Sequence, residues 1–395
     1  MLAHLRPEHR LVCILCRPIL SDRLRLMAEG ILASEVDWAF FCQFIESRGI
    51  IPLVSRHIER TFPDAVPFET RCRLLALAGR YRAEAEAMAG QLARVLQRLE
   101  SEGIRAVPFK GPVMVEEAWG SAGMRTSSDL DILVRPGEFR RAIAAVERCG
   151  FVRTIADALL AEPYGLTSCE LTLSQGVSCA ILVDLQTAFL PDWVEAGVES
   201  GQVWASLRRR PFRGAEIWVL PGDWNLLFLA LHAYKHSLSA LRWLADLRAL
   251  AQADPGAWTR ARRRAEALGV GRQVALVDEV ARALLDEEWI DPGALNPFVR
   301  KMAEMPLGAA ITPLDVLGFE SALRGRKRRL AYWLRVLFKT SPTDVRTIAL
   351  PRGLFFAYRA IRPVRLALTY LAAPLAARWR GRGKGRAESS RRRQT

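Results

Sequence analysis

The sequence predicts an α+β protein in which a small sheet is flanked by N- and C-terminal helical domains. Residues 1–102 and 223–320 carry apolar side chains at the 3.6-residue spacing of amphipathic helices, whereas residues 103–222 contain short apolar runs separated by turn residues. Residues 321–395 form a basic amphipathic tail whose last part has the composition of a disordered segment. These four segments are the expected domains.

Composition restricts the class of protein. The chain has 395 residues, of which 50% are hydrophobic and 25% are charged, as in ordinary globular proteins of two or three domains. No apolar run reaches the roughly 18 residues of a membrane-spanning helix, and the first apolar stretch is too short for a secretory signal. The seven cysteines are scattered and odd in number, which argues against a disulfide framework. We therefore expect a cytoplasmic, reduced protein.

The net charge of +15 is confined to the tail. Residues 324–395 contain 20 Lys and Arg against two acidic residues, so the preceding residues carry a net charge of −3. A solvated, partly disordered terminus is the simplest interpretation of this segment. Its alternation of Arg with Leu, Phe and Trp also suits peripheral contact with the anionic inner membrane surface, or with a polyanion such as RNA.

Helix signals are clear in the first hundred residues. Ser34 is expected to cap a helix that ends at Gly49, and Pro52 is expected to open the next short one. A helix of about 34 residues should then follow, ending at Gly103, since apolar residues recur along it at helical spacing.

The central segment alternates strands and helices. The expected strands are "IRAVPF" (104–109), "DLDILV" (129–134), "FVRTI", a hairpin turning near Gln175-Gly176, and "AEIWVL" (215–220). Helices are expected from Pro112 to about Ala118 and from Pro136 to Gly150. From Asp223 to about Leu285 the pattern is helical again.

Two carboxylates stand out on the second expected strand. Asp129 and Asp131 are two residues apart and therefore share one face, while Leu130 and Ile132 point into the core. Burying two charges is costly unless a cation meets them, and paired carboxylates are suitable ligands for Mg²⁺ or Mn²⁺. Asp184, on a later strand, is the candidate third carboxylate.

A phosphate-binding turn is expected about twenty residues before this strand, a longer spacing than is typical of such sites. Lys110 and Gly111 join a strand to a helix N-terminus, where backbone N–H groups can face a phosphate. Arg125, in the polar loop that follows, either contacts phosphate or forms a structural salt bridge. Ser127 and Ser128 are further candidates for phosphate binding.

His232 and His236 share one face of a helix, with Lys235 beside them. Zinc would need a third ligand, which the pattern does not provide. These residues either line the cleft and touch nucleotide or acceptor, or form a polar pair between helices. Asp246 is expected to anchor the same pair of helices.

The order of these motifs resembles the DNA polymerase beta-type nucleotidyltransferase superfamily. The runs "FKGPVMVEEAW", "MRTSSDLDILV", "VDLQTAF" and "LHAYKHSLSALRWLADL" are most similar to the uncharacterised bacterial nucleotidyltransferases, over residues 30 to 255. The resemblance implies a mixed-sheet core in which Asp129, Asp131 and Asp184 hold the metal. It also implies that Lys110 and Gly111 cradle phosphate.

One residue departs from the superfamily pattern, which has Gly-Ser at the phosphate turn. Here Pro112 follows Gly111, and proline has no backbone N–H to donate. One phosphate contact must therefore come from another residue, and the candidates are Lys110, Arg125, Ser127 and Ser128.

The resemblance implies transfer of a nucleoside monophosphate from an NTP to an acceptor with two bound Mg²⁺ (or Mn²⁺) ions. We favour a small molecule, peptide or saccharide over nucleic acid as the acceptor. The alternative is a catalytically weak or inactive protein of this fold that acts as a binding or scaffold protein. Such a protein would dock on membrane or polyanion through residues 324–395.

Overall fold

The computed structural model describes most of the chain up to residue 308 and several short stretches beyond it. The described residues are 5–125, 127, 129–153, 168–173, 180–188, 200–286, 297–308, 330, 333–334, 337–338, 344, 347–348 and 350–369. The chain divides into two units, Met1–Ala309 and Ala310–Thr395. This division precedes the expected start of the tail at residue 321, and the three-part division of the first unit stays a prediction.

The first unit begins with helices, as the apolar periodicity predicts. They are α1 (Pro7–Leu15), α2 (Asp22–Leu32), α3 (Trp38–Ser47), α4 (Ile51–Thr61) and α5 (Phe68–Ser101). Helix α5 has the predicted 34 residues, and Gly103 after it adopts φ +70°. A left-handed glycine at this place ends the helix without a Cβ penalty.

The predicted cap of α3 was wrong by three residues. Asp37, not Ser34, caps this helix, and its carboxylate accepts a hydrogen bond from Phe40 N at 2.9 Å. Asp37 is held in place because its own backbone N–H donates to Glu8 Oε1 at 2.8 Å. The Ser34 hydroxyl instead donates to Ile31 O, at the end of α2.

The main sheet has five strands: β1 (Ala106–Pro108), β2 (Asp129–Val134), β3 (Val152–Arg153), β4 (Ser168–Leu173) and β5 (Ile181–Gln186). Their spatial order is β1-β2-β5-β4-β3. Strands β2 and β5 run parallel, and the other neighbouring pairs run antiparallel. The sheet is therefore mixed, and the predicted α+β class is confirmed. The expected turn at Gln175-Gly176 lies outside the described residues.

One face of the sheet forms the core. Leu130 and Ile132 of β2 are buried with Val183 and Leu185 of β5, against α5 and helix α7 (Phe139–Glu147). Because side chains alternate along a strand, the residues between these positions lie on the opposite face. That face carries the three aspartates, and helix α6 (Pro112–Trp119) begins in the segment between β1 and β2.

A separate hairpin follows helix α8 (Ser200–Ser206). Its strands are β6 (Arg208–Phe212) and β7 (Ala215–Val219), which pair antiparallel. Strand β7 was expected from the sequence. Strand β6, "RRRPF", was not expected, because its three arginines and its proline leave no alternation of apolar and polar residues.

The rest of the first unit is helical: α9 (Gly222–Lys235), α10 (Leu241–Ala253), α11 (Pro255–Ala267), α12 (Gly271–Leu285) and α13 (Pro297–Glu304). Helix α9 is buried over most of its circumference, with Trp224 fully enclosed, and it packs against α10, α11 and α12. It is therefore the central helix of this group.

The second unit contains helix α14 (Tyr358–Ala367) among its described residues. The Asp344 carboxylate is held by Arg362 at 2.8 Å and by Arg365 at 2.6 Å. The Tyr358 hydroxyl donates to Ile348 O at 2.6 Å. This unit therefore has internal contacts of its own. None of the helices in the described part of the chain is long and apolar enough to cross a membrane.

Candidate active site

Three aspartates lie on one face of two parallel strands. Asp131 of β2 is the direct register partner of Asp184 of β5. Asp129 lies two residues before Asp131 and thus faces the same side. Parallel pairing with this register is what brings together carboxylates that are far apart in sequence.

An amide joins two of these carboxylates. Gln186 Nε2 donates to Asp184 Oδ2 at 2.6 Å and to Asp131 Oδ1 at 3.1 Å. Sequence reasoning missed Gln186 as a site residue. Its position two residues after Asp184 on the same strand was the available signal, because that spacing places both side chains on one face.

Asp131 is buried, with 2% of its surface exposed, and it also pairs with a lysine. Lys110 Nζ lies 2.8 Å from Asp131 Oδ1. Burial raises the pKa of Asp131 to about 6, even though the Lys110 charge acts to lower it. Lys110 was expected on a phosphate, and the structure places its ammonium on the carboxylate instead.

The turn before α6 depends on a glycine conformation. Gly111 has φ +69° and ψ −148°, a region that side chains other than glycine avoid. Its carbonyl accepts the hydrogen bond of Val115 N, at 3.0 Å, and Pro112 occupies the first position of α6. The helix therefore begins directly beside Lys110.

Arg125 forms the structural salt bridge that was one of its two expected roles. Its Nε donates to Asp246 Oδ2, and both side chains are buried. Asp246 Oδ1 accepts a second hydrogen bond, from Trp119 Nε1 at 2.8 Å. Asp246 thus ties α10 to α6 and to the loop before β2. Of the two serines, Ser127 is half-buried and Ser128 lies outside the described residues.

The two histidines belong to an aromatic cluster between α9 and α10. The rings of His232 and His236 are 4.6 Å apart, and Trp243 lies 4.8 Å from the first and 5.3 Å from the second. Burial, followed by the nearby Lys110, lowers the pKa of His232, so its ring is neutral at pH 7. Lys235 is exposed at the end of α9. Contact of these residues with substrate stays a prediction.

The donor chemistry of the carboxylates suits a divalent cation. Oδ2 of Asp131 is buried, and no hydrogen-bond donor meets it within the part of the chain that the structure describes. A hard cation would satisfy that oxygen and favour the ionised carboxylate. In the described part of the chain, however, no three acidic, histidine or cysteine side chains are arranged to hold a metal ion. Ligation would therefore require Lys110 or Gln186 to move.

Comparison with known families identifies the chain. The model of a family described as uncharacterised nucleotidyltransferase matches residues 34–286, which is more than half of the sequence. The chain belongs to this family. The match covers every site residue considered above, from Lys110 to Asp246, and it ends where α12 ends.

Other comparisons add little to the identification of this nucleotidyltransferase. No curated protein matches it. A crystal structure of an antigenic nucleotidyltransferase-like protein from Paracoccidioides brasiliensis is similar to 48% of this chain and to 93% of that one, with 13% identity and a TM-score of 0.30.

Proposed function

We propose that this nucleotidyltransferase moves a nucleoside monophosphate from an NTP to an acceptor and releases pyrophosphate. The observation that carries the proposal is the register of β2 and β5, which sets Asp131 beside Asp184 with Asp129 on the same face. Family membership supports the reaction class. The buried, unsatisfied oxygen of Asp131 supports a cationic ligand at this place.

In the proposed reaction the three aspartates would hold Mg²⁺ or Mn²⁺. The bound metal would neutralise charge on the triphosphate and polarise the phosphoryl group that is transferred. Asp184 would accept the proton of the attacking acceptor group. Gln186 would orient Asp131 and Asp184, since its amide already donates to both. Lys110, released from Asp131, would pair with a phosphate oxygen.

We propose a small molecule, peptide or saccharide as the acceptor. Residues 1–309, the unit that contains the site, carry 37 Lys and Arg against 38 Asp and Glu, so this unit has no net positive charge to attract a nucleic acid. The basic segment 324–395 would instead provide peripheral contact with an anionic membrane.

The test uses purified full-length protein with labelled NTPs and Mn²⁺ or Mg²⁺, and measures label transfer and pyrophosphate release. Replacing Asp131 with Asn should lower the rate by about 1,000-fold, because a ligand that stabilises the developing charge is lost. Asp22→Asn is the matched control, since Asp22 is exposed on α2. Equal turnover by the wild-type and Asp131→Asn proteins would refute the proposed site.

A specific observation favours a second candidate, a non-catalytic binding or scaffold protein of the same fold. Lys110 already neutralises Asp131, and Pro112 cannot supply the backbone donor of the usual phosphate turn. A protein of this kind would bind a nucleotide or none, and would not release pyrophosphate. The same assay, run with each of the four common NTPs and several acceptor extracts, separates the two candidates.

A further inference from the structure

The phosphate contact that Pro112 cannot make must come from another group, and two expected replacements are already engaged. Lys110 is paired with Asp131, and Arg125 is paired with Asp246. A triphosphate carries several negative charges, so its site needs cations in addition to the metal. The structure therefore points to cations on the elements that face the carboxylates.

Arg242, in the first turn of α10, is such a cation. It lies one helical turn before Asp246, and residues four apart share a helix face. Asp246 is bonded to Arg125 of the loop that leads into β2. Arg242 therefore faces the entrance to the carboxylate strand, close enough for the charges of Asp129 and Asp246 to influence its guanidinium.

Neighbouring groups fix the position of Arg242. Its Nη1 donates to Arg48 O at 3.2 Å, and its guanidinium lies 5.4 Å from the ring centre of Trp243. Arg48 in turn donates from Nη1 to Ser239 O at 3.4 Å. The two arginines thus link the end of α3 to the turn between α9 and α10.

The positive charges of Arg48 and Arg242 are not paired with a carboxylate among the described residues. Among the described residues, neither Arg48 nor Arg242 has an acidic side chain within salt-bridge distance, and Arg48 Nε is buried without a hydrogen-bond acceptor. Burial lowers the pKa of both guanidinium groups, although both remain charged at neutral pH. An anionic ligand would relieve the repulsion between two half-buried cations.

The turn between α9 and α10, which precedes Arg242, has an unusual backbone conformation. Ser237 and Leu238 both have φ +56°, a left-handed conformation that is unfavourable for residues other than glycine. Hydrogen bonds from their backbone N–H groups to Tyr234 O and Ala233 O hold this conformation at the end of α9. Backbone strain is common near functional sites, and here it would fix the position of the first turn of α10, which carries Arg242.

We propose that Arg242, with Arg48 beside it, binds the polyphosphate of the nucleotide and supplies the contact that Pro112 cannot make. This inference rests on the proposed function and deepens it, because it specifies how the triphosphate lies in the site. The polyphosphate spans from the carboxylates toward the turn between α9 and α10.

Binding measurements on the full-length protein test this inference. Calorimetry with a non-hydrolysable ATP analogue and with inorganic tripolyphosphate, both with Mn²⁺, should show about 10- to 100-fold weaker binding for Arg242→Gln, the range expected for loss of a charged hydrogen bond. Arg242→Lys should bind with intermediate affinity, since it keeps the charge but not the planar fork. Arg263→Gln, which removes an exposed arginine from α11, should bind as the wild type does.

The outcomes distinguish the two levels of the proposal. Equal affinity of the wild-type and Arg242→Gln proteins for both ligands, with pyrophosphate release intact, would overturn the role of Arg242 and leave the function standing. Loss of tripolyphosphate binding in Arg242→Gln supports the anion site even where no NTP is turned over. A wild-type protein that binds neither ligand overturns both. A thermal melt of each variant, expected within about 2 °C of the wild type for an exposed or half-buried polar change, excludes unfolding as the cause.

Discussion

Asp131 and His57 show how burial governs charge at the scale of single residues. In Asp131, burial raises the carboxyl pKa, and a nearby ammonium only partly offsets the effect. In His57, burial lowers the pKa to about 4, with Arg56 and Arg60 acting in the same direction. In both groups burial disfavours the charged form, but only Asp131 lies where a bound cation would favour the charged form again.

The buried His57 predicts a loss of stability in acid. A histidine whose folded pKa lies below its unfolded value of about 6.5 has no effect on stability above that pH. As the pH falls from about 6.5 toward 4, the unfolded state takes up the proton first, so the fold loses stability. The expected loss at pH 5 is about 2 kcal/mol.

The measurement is urea unfolding at pH 7.5 and at pH 5, for the wild type and for His57→Gln. The substitution removes the titrating ring, which lies 2.8 Å from Arg17 O, and keeps a group that can donate to that carbonyl. Other histidines titrate equally in both proteins. The pH-dependent loss should therefore be smaller in His57→Gln, and an identical loss in both proteins would contradict the argument.

At the scale of elements, local sequence patterns predicted individual helices and strands better than they predicted which strands pair. Helix α5 could be predicted closely because apolar residues recur along it at helical spacing, and strand β2 because a short, mainly apolar run follows a Ser- and Thr-rich loop. The start of α3 could not, because Ser34 and Asp37 are both good caps and a distant residue, Glu8, decides between them. Strand β6 has no apolar alternation to reveal it.

The candidate site shows the same limit. Asp129, Asp131 and Asp184 could be singled out because each interrupts an apolar run. Their convergence depends on a parallel pairing between distant strands, which no local pattern encodes. The proposed role of Arg242 could not be found from sequence, because an arginine in a helix looks like any surface arginine until its neighbours are known.

The turn between β1 and α6 allows a prediction about glycine. Gly111→Ala should lower the free energy of unfolding by about 3 kcal/mol, because the conformation at φ +69°, ψ −148° is open essentially to glycine alone. Gly120→Ala, at φ +77°, ψ −2°, should lower it by about 1 kcal/mol, since the ordinary left-handed region is less unfavourable.

The two positions make a matched pair because sterics contribute little at either. A Cβ on Gly111 would meet Asp129 O at 3.5 Å, an ordinary contact, and one on Gly120 would meet nothing within 4 Å. Urea unfolding of the two variants measures the difference. A smaller loss at Gly111 than at Gly120 would show that the turn relaxes away from its present geometry.

At the scale of the whole molecule, charge and structure divide at nearly the same place. The first unit ends at Ala309, and the excess of positive charge begins at residue 324. The residues matched by the family model lie entirely in the first unit. The proposed chemistry and the proposed membrane contact would therefore belong to different parts of the chain.

This division predicts that a chain shortened to residues 1–309 keeps its fold and its affinity for nucleotide. It should lose binding to vesicles of phosphatidylglycerol, which the full-length protein should bind in a salt-sensitive manner. Circular dichroism and vesicle sedimentation at 50 and 500 mM NaCl measure the two properties. Unfolding of the shortened chain, or undiminished vesicle binding, would contradict the assignment.

The parallel register of β2 and β5 also has a consequence for how the protein matures. Asp131 and Gln186 are separated by 55 positions, and the chain between them must pass through β3 and β4 before they can meet. Long-range strand pairing is among the slower steps of folding. A newly synthesised chain would thus form local helices before the aspartates of the proposed nucleotide site come together, and that site would be complete only when β5 pairs with β2.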